Sequence, residues 1–188
     1  MSLWKSLTGL ISDTEFRTAR IDKSTHSLQV IDYAHHEIHA GSNFFYTDAV
    51  ELGSGGVQNY LITTPNTTKW GHFTFLATGN AITQVELYEA TDRIGTTLQT
   101  VYNSNRNSVT PATLTVHKGH SGGTTDGERI WIRKSGSSSS QSRSSSEATH
   151  ENEMPLKQNT KYILRITSST AANLTNLMLG WYEHTDKN

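Results

Sequence analysis

Short alternations of apolar and polar residues, separated by turn residues, run through most of this chain and constrain its fold more than any other feature. Within residues 70–77, Phe73 and Phe75 share one side of the extended chain. Residues 82–88 and 128–133 alternate in the same way. A period of two puts successive side chains on opposite faces of a strand, so these segments are predicted to be half-buried β-strands.

Roughly ten short strands are predicted along the chain, each bounded by Gly, Pro, Asn or Thr. The clearest of them cover residues 44–52, 57–64, 70–77, 82–89, 97–102, 112–118, 127–134, 161–168 and 176–184. Many short strands joined by turns are typical of an all-β sandwich or barrel. We therefore predict an all-β protein whose architecture is a β-sandwich of jelly-roll form.

Two segments depart from the strand pattern and define the predicted domain organisation. Residues 1–25 precede the first clear strand and carry apolar residues near helical spacing, so they are predicted to form an N-terminal arm or a short helix. Residues 26–188 are the predicted β-sandwich domain. Within it, residues 135–146 are a serine-rich run of low complexity, which predicts a loop.

Composition argues against several classes of function. The chain has 16 Lys and Arg against 17 Asp and Glu, whereas nucleic-acid-binding proteins usually carry a basic excess, so no nucleic-acid partner is expected. No apolar stretch approaches the length of a transmembrane helix and the start lacks a signal-peptide run, so we expect a soluble protein made in a cytoplasm, without membrane contact. The absence of cysteine removes zinc-finger and thiol-nucleophile sites.

The densest polar cluster lies in residues 32–39, which read DYAHHEIH. If this segment were a strand, His35, Glu37 and His39 would share one face and could bind a non-haem metal, as in a cupin-like enzyme. The alternative is a histidine-rich turn or strand edge that bonds to the backbone or faces a neighbouring subunit. Nothing in the spacing of the remaining histidines selects a further ligand, so no metal site and no cofactor are predicted.

Other signs of catalysis are weak. The sequence contains neither a nucleophile elbow nor a Walker-type phosphate loop, and the glycine-rich segments 53–56 and 119–123 are predicted to be turns between strands. Asp126 and Glu128 follow the second segment; they do not fit an EF-hand loop and are predicted to be solvated loop carboxylates. The chain is therefore not expected to be an enzyme.

Aromatic residues offer a further alternative, a carbohydrate-binding β-sandwich. Exposed aromatic rings in such a fold could form a sugar-binding platform. The candidates are Phe44, Phe45, Tyr46, Tyr60, Trp70, Phe73, Phe75, Trp131, Trp181 and Tyr182. Most of them fall within the strand patterns, which favours packing in the core.

The run from Ile31 to Tyr46 contains a His-x-x-His, a glycine two residues later and then aromatic residues. This run of about sixteen residues resembles a motif of tailed-phage head decoration proteins, also called cement or auxiliary capsid proteins. In that family the motif lies near the N-terminus and precedes a β-rich body, as it does here. The rest of the chain matches the family only in its general β character.

The resemblance implies a protein of the virion that binds the assembled major capsid protein through a β-sandwich or jelly-roll body. It further implies a homotrimer at three-fold positions of the capsid surface, which clamps neighbouring capsid subunits after head expansion. The candidate contact residues lie in the arm and in the motif: Leu3, Trp4, Leu7, His35, His36, Glu37, His39, Phe44 and Tyr46. The alternative role of the motif is an internal turn that fixes the first hairpin.

Overall fold

The computed structural model of this chain describes residues 33–137 and 146–185. In these ranges one helix, α1 (Tyr33–Ala40), precedes eleven β-strands. The strands are β1 (Asn43–Leu52), β2 (Val57–Thr63), β3 (Lys69–Gly79), β4 (Thr83–Glu89), β5 (Ile94–Leu98), β6 (Tyr102–Asn103), β7 (Thr115–Ser121), β8 (Glu128–Ser135), β9 (Ser146–Leu156), β10 (Lys161–Ser168) and β11 (Asn173–Thr185). The prediction of an all-β fold is confirmed.

The strands form two antiparallel sheets that pack face to face as a β-sandwich. The five-stranded sheet has the order β6-β1-β11-β3-β9, and the six-stranded sheet has the order β5-β7-β2-β10-β4-β8. Four strand pairs are nested: β1 with β11, β2 with β10, β3 with β9, and β4 with β8. Folding one long antiparallel hairpin across two sheets gives this nested order, which is the topology of a jelly roll.

Alternating side chains from the two sheets fill the core. On β3, Phe73, Phe75 and Ala77 are buried, while their neighbours on the other face are only partly covered. Trp181 of β11 and Tyr162 of β10 are each 1% exposed and are among the largest fully buried side chains. Since burying a large apolar side chain stabilises a protein by about 1.5–3 kcal/mol, this period-two pattern determines which face of each sheet turns inward.

Strand β9 occupies a segment for which the sequence predicts no strand. Its residues, SEATHENEMPL, show no apolar alternation. In the described part of the chain β9 pairs with β3 alone and lies at the edge of its sheet, and the apolar residues that reach the core, Met154 and Leu156, lie near its C-terminal end. Pro155 fits this position, because an edge strand tolerates a residue that lacks a backbone N–H donor.

Two predicted segments fall wholly or largely outside the described residues. The N-terminal arm, residues 1–25, is one of them, together with its candidate contacts Leu3, Trp4 and Leu7. The predicted serine-rich loop is the other: β8 ends at Ser135 and β9 begins at Ser146, and residues 138–145 between them are not described.

Candidate functional site

The polar cluster of the motif lies on a helix, so its interpretation as a strand is wrong. Helix α1 covers Tyr33–Ala40 and therefore contains His35, Glu37 and His39. With 3.6 residues per helical turn, residues 35 and 39 lie one turn apart whereas residue 37 points to another side, so the shared face of the metal hypothesis does not form. Within the described ranges, no group of three or more His, Cys, Asp or Glu residues is placed to hold a metal ion.

Gly41 ends α1 with a Schellman-type cap. Its N–H donates to the carbonyl of Ile38 at 3.1 Å, and the N–H of Ser42 donates to the carbonyl of Glu37 at 3.0 Å. Gly41 has a φ of 74°, and a Cβ at this position would overlap the side chain of Ser108. Glycine therefore satisfies both the left-handed backbone and the close approach of the neighbouring loop.

The buried side chain of Glu37 stabilises the connection between α1 and β1. Its carboxylate accepts a hydrogen bond from the hydroxyl of Ser42. The carbonyl of Ser42 in turn accepts the N–H of Glu183, on β11, at 2.9 Å. The amide of Asn103 donates to the carbonyl of Gly41 at 2.8 Å. This part of the motif thus fastens the helix to the end of the five-stranded sheet.

The aromatic end of the motif divides between the core and the surface. Phe44 and Tyr46 are 2% and 5% exposed and lie in the core, so neither side chain offers a surface to a partner. Phe45 points the other way, with its ring 5.8 Å from that of Tyr102. Glu37, Gly41, Phe44 and Tyr46 therefore all belong to the internal structure of this corner, while an internal-turn role that fixes the first hairpin stays a prediction.

Two histidines of the motif remain as candidate contacts among the residues with described side chains. His36 has a side chain that is 58% exposed, and His39 is also exposed. The side chain of His35 lies outside the described part. A contact role of His36 and His39 is still a prediction, whereas Glu37 is committed to the corner of the fold.

Replacing Gly41 with alanine is expected to lower the free energy of unfolding by about 1–3 kcal/mol, because the left-handed conformation and the overlap with Ser108 both disfavour a Cβ. Urea unfolding followed by tryptophan fluorescence measures the change. Gly53→Ala is the matched control, since a Cβ there meets nothing within 4 Å. Equal losses in the two variants would contradict the assigned role of Gly41.

Asp126 forms ion pairs with two arginines, so the prediction that it is a solvated loop carboxylate is wrong. Its carboxylate accepts from Nε of Arg93 at 2.8 Å and from Nη2 of Arg165 at 2.5 Å. Arg93 also donates to the carbonyl of Gly122 at 2.9 Å. Burial raises the pKa of Asp126, but the two guanidinium groups outweigh burial and hold it below its usual value. The cluster ties the β7–β8 connection to β10 in the middle of the six-stranded sheet.

Glu183 is a buried carboxylate that the sequence analysis missed. It is 3% exposed and accepts from the backbone N–H of Thr113 and Leu114, from the hydroxyl of Thr113 and from Nε1 of Trp181. A signal was present, because Glu183 follows Leu177, Leu179 and Trp181 on the inward side of β11. A carboxylate in that register has to find several donors.

Asp48 organises a third polar cluster, between β1, β2 and β7. Its Oδ2 atom accepts from the hydroxyl of Tyr60 at 2.8 Å and lies 2.6 Å from Nζ of Lys118. Burial, with Asp48 nearby, raises the pKa of Tyr46 to about 12, and burial also raises the pKa of Tyr60. Both tyrosines therefore stay protonated near neutral pH, and the cluster serves as a structural hydrogen-bond network.

The candidate aromatic platform does not assemble in the described part of the chain. Seven of the ten candidate aromatics are buried, Phe45 and Trp131 are partly covered, and Trp70 alone is exposed, at 36%. The ring of Trp131 packs edge-on against Phe75 with 4.9 Å between centroids. These aromatics are therefore mainly core residues.

Apolar side chains are exposed at both edges of the six-stranded sheet. On β5, Ile94 and Leu98 are 59% and 63% exposed. On β8, Ile130 and Ile132 are 39% and 47% exposed. The five-stranded sheet adds an open groove of about 530 Å³ across β1, β11 and β3, lined in part by Leu76 and Met178. These are the surfaces of the described chain that best suit contact with another molecule.

Comparison with known proteins gives no relative for this chain: no family model, no curated protein and no solved structure matches it. In the described ranges, no helix is both long enough and apolar enough to cross a membrane. A function for the chain is therefore inferred from its own residues and geometry.

Proposed function

We propose that this chain is a head decoration protein of a tailed phage, which binds the assembled major capsid protein and stabilises the head without catalysing a reaction. The resemblance of residues 31–46 to the family's motif gives the proposal its direction. The structural observation that carries it is the exposure of apolar side chains at both edges of one rigid sheet, on β5 and β8. A protein held between neighbouring subunits of a lattice needs contact surfaces on more than one side.

The jelly-roll body suits this role physically. Its polar clusters around Asp48, Asp126 and Glu183 hold loops and strands together, so the contact surfaces are carried on a fixed frame. Burying an exposed leucine or isoleucine contributes on the order of 1–2 kcal/mol, so a few such contacts give useful affinity. The proposed homotrimer would multiply that affinity, because its copies bind the lattice together.

Stabilisation of the head then follows from mass action. A protein that binds the assembled lattice and not the free subunits favours the lattice by the free energy of its own binding. The exposed histidines of the motif, His36 and His39, together with the apolar edges are the proposed contact residues. Glu37, Phe44 and Tyr46 act indirectly, by shaping the corner that presents α1.

The two alternative functions receive less support from the described residues. A cupin-like metal enzyme needs His35, Glu37 and His39 on one face, but all three lie on α1, where position 37 is on a different side from positions 35 and 39. A carbohydrate-binding module needs exposed aromatic rings, and Trp70 is the exposed ring among the candidates. A glycan-array signal that is lost in a Trp70→Ala variant would favour the carbohydrate-binding alternative.

Heads that lack this protein are expected to lose their DNA at a lower temperature than complete heads. When the salt concentration is lowered stepwise, they are also expected to lose their DNA earlier, at a salt concentration that complete heads still withstand. Release of DNA, followed by a fluorescent dye during heating, measures the difference. Adding back the purified chain should restore resistance, and adding a His36→Ala, His39→Ala double variant should restore less. A Val109→Ser variant is the control, because Val109 is 98% exposed and lies outside the motif. Equal resistance of heads with and without the protein would overturn the proposal.

A further inference from the structure

Strand β8 is an unusually exposed edge of the sandwich. It pairs with β4 on one side, and no strand in the described part of the chain pairs with its other side. Trp131 points inward and packs on Phe75, which fixes β8 in place. The second side of such a strand, here along residues 128–134, presents backbone N–H and C=O groups that can template the addition of another strand.

The exposed side chains of β8 combine apolar and basic character. Ile132 lies opposite Glu86 in the neighbouring strand, and Lys134 lies opposite Gln84. The strand ERIWIRKS carries three cations and one carboxylate, a net charge of +2. Arg129 pairs with Glu86 at 2.8 Å, whereas Arg133 and Lys134 have no salt bridge among the described residues.

This charge distribution argues against pairing of β8 with a second copy of itself. Two such strands side by side would bring together a charge of +4, twice the +2 of one strand, and like charges on neighbouring strands are destabilising. The same charges would attract an acidic strand. Arginine and lysine alone could simply protect an edge from aggregation, but an edge protected in this way has no need of two exposed isoleucines.

We propose that the free edge of β8 binds an extended, acidic segment of a partner protein by strand addition. Backbone hydrogen bonds to β8 contribute affinity for any extended segment, and the side chains of the segment determine which segments bind most tightly. An apolar residue of the segment packs on Ile132, a carboxylate two residues away on the same face pairs with Lys134, and a carboxylate on the residue between them pairs with Arg133 on the other face. This site lies apart from the motif around α1; it shares Ile132 with the apolar edge used in the capsid proposal, but its test needs no capsid.

A pair of synthetic peptides tests the site on the full chain. One ten-residue peptide carries Val-Glu-Glu-Val between flanking threonines, so that in either strand direction a valine can face Ile132 while glutamates face Arg133 and Lys134, and the other peptide has lysine in place of glutamate. The acidic peptide is expected to slow amide hydrogen exchange in residues 128–135 and not in β5. Since two exposed ion pairs separate the peptides, the acidic peptide should bind about tenfold more tightly by fluorescence anisotropy.

Variants of β8 separate this site from a general loss of structure. Reversing Arg133 and Lys134 together to glutamate should invert the preference, so that the lysine peptide binds more tightly than the acidic one. Ile132→Ser should weaken binding of the acidic peptide about tenfold, the cost of losing a buried apolar contact without a change of charge. Met178→Ser should leave it unchanged, because Met178 has the same 47% exposure as Ile132 and lies on the other sheet.

The site would be ruled out by any of three results. These are equal binding of the two peptides, slowed exchange outside β8, and no binding of the acidic peptide at millimolar concentration. Tighter binding of single-stranded DNA than of the acidic peptide at β8 would overturn it in favour of an anionic polymer. None of these results measures binding to phage heads, so failure of this inference and failure of the capsid proposal are distinguishable although both use Ile132.

Discussion

Replacing Glu183 with alanine is expected to lower the free energy of unfolding by roughly 3–5 kcal/mol. The carboxylate accepts from two backbone N–H groups, a hydroxyl and an indole N–H, all in a region where water has little access. Removal leaves these donors without a partner, and each unsatisfied buried donor costs about 1–3 kcal/mol. Urea unfolding followed by tryptophan fluorescence measures the loss.

Glu183→Gln is the matched variant for this prediction. The amide keeps the shape and one acceptor oxygen, but its NH₂ group faces donors at Thr113, so we expect about half of the loss seen for alanine. Amide exchange of Thr113 and Leu114 should accelerate in both variants, since these N–H groups donate to the carboxylate. A loss below about 1 kcal/mol for Glu183→Ala would show that other groups hold this loop.

Replacing Asp126 with alanine is expected to lower the free energy of unfolding by about 2–3 kcal/mol, because Arg93 and Arg165 both lose the carboxylate that pairs with them and keep only neutral acceptors. The estimate is moderate since all three side chains keep some contact with water. Glu128→Ala is the control, because Glu128 is a neighbouring carboxylate that is exposed, and its change should stay within about 0.5 kcal/mol.

The effect of Asp126 should also depend on pH in a defined direction. Its pKa in the folded protein lies below the usual value of 3.8, so its stabilising contribution is complete above that value and is lost as the pH falls through the lowered pKa. The difference in stability between the parent and Asp126→Ala should therefore be constant from pH 7 to pH 5 and shrink toward pH 2. A difference that grows on acidification would contradict the ion-pair assignment.

The strands with clear alternation were predictable because burial imposes a period of two on them. Residues 70–77 lie within β3, where one face packs in the core. Strand β9 was not predictable by this reasoning, because its sequence is mostly polar and its core residue Leu156 lies at its C-terminal end. The nested strand order was not predictable either, since the partners that make it, such as β1 and β11, are far apart in sequence.

The site was predictable in outline and not in detail. The run around His36 and His39 was singled out, and it does form a distinct corner of the fold. Its conformation was not predicted, because neither the strand nor the histidine-rich turn considered for this segment allowed for a helix that ends at Gly41. The contacts of Asp126 and Glu183 depend on loops that meet in three dimensions, and only the inward register of Glu183 was visible in the sequence.

Co-sedimentation of the purified chain with phage heads tests the central claim, that the chain binds the assembled capsid lattice. The account predicts saturable binding to expanded heads, with a fixed number of copies per head, and no binding to free major capsid subunits. Binding that never saturates, or that is equally strong to free subunits, would contradict it.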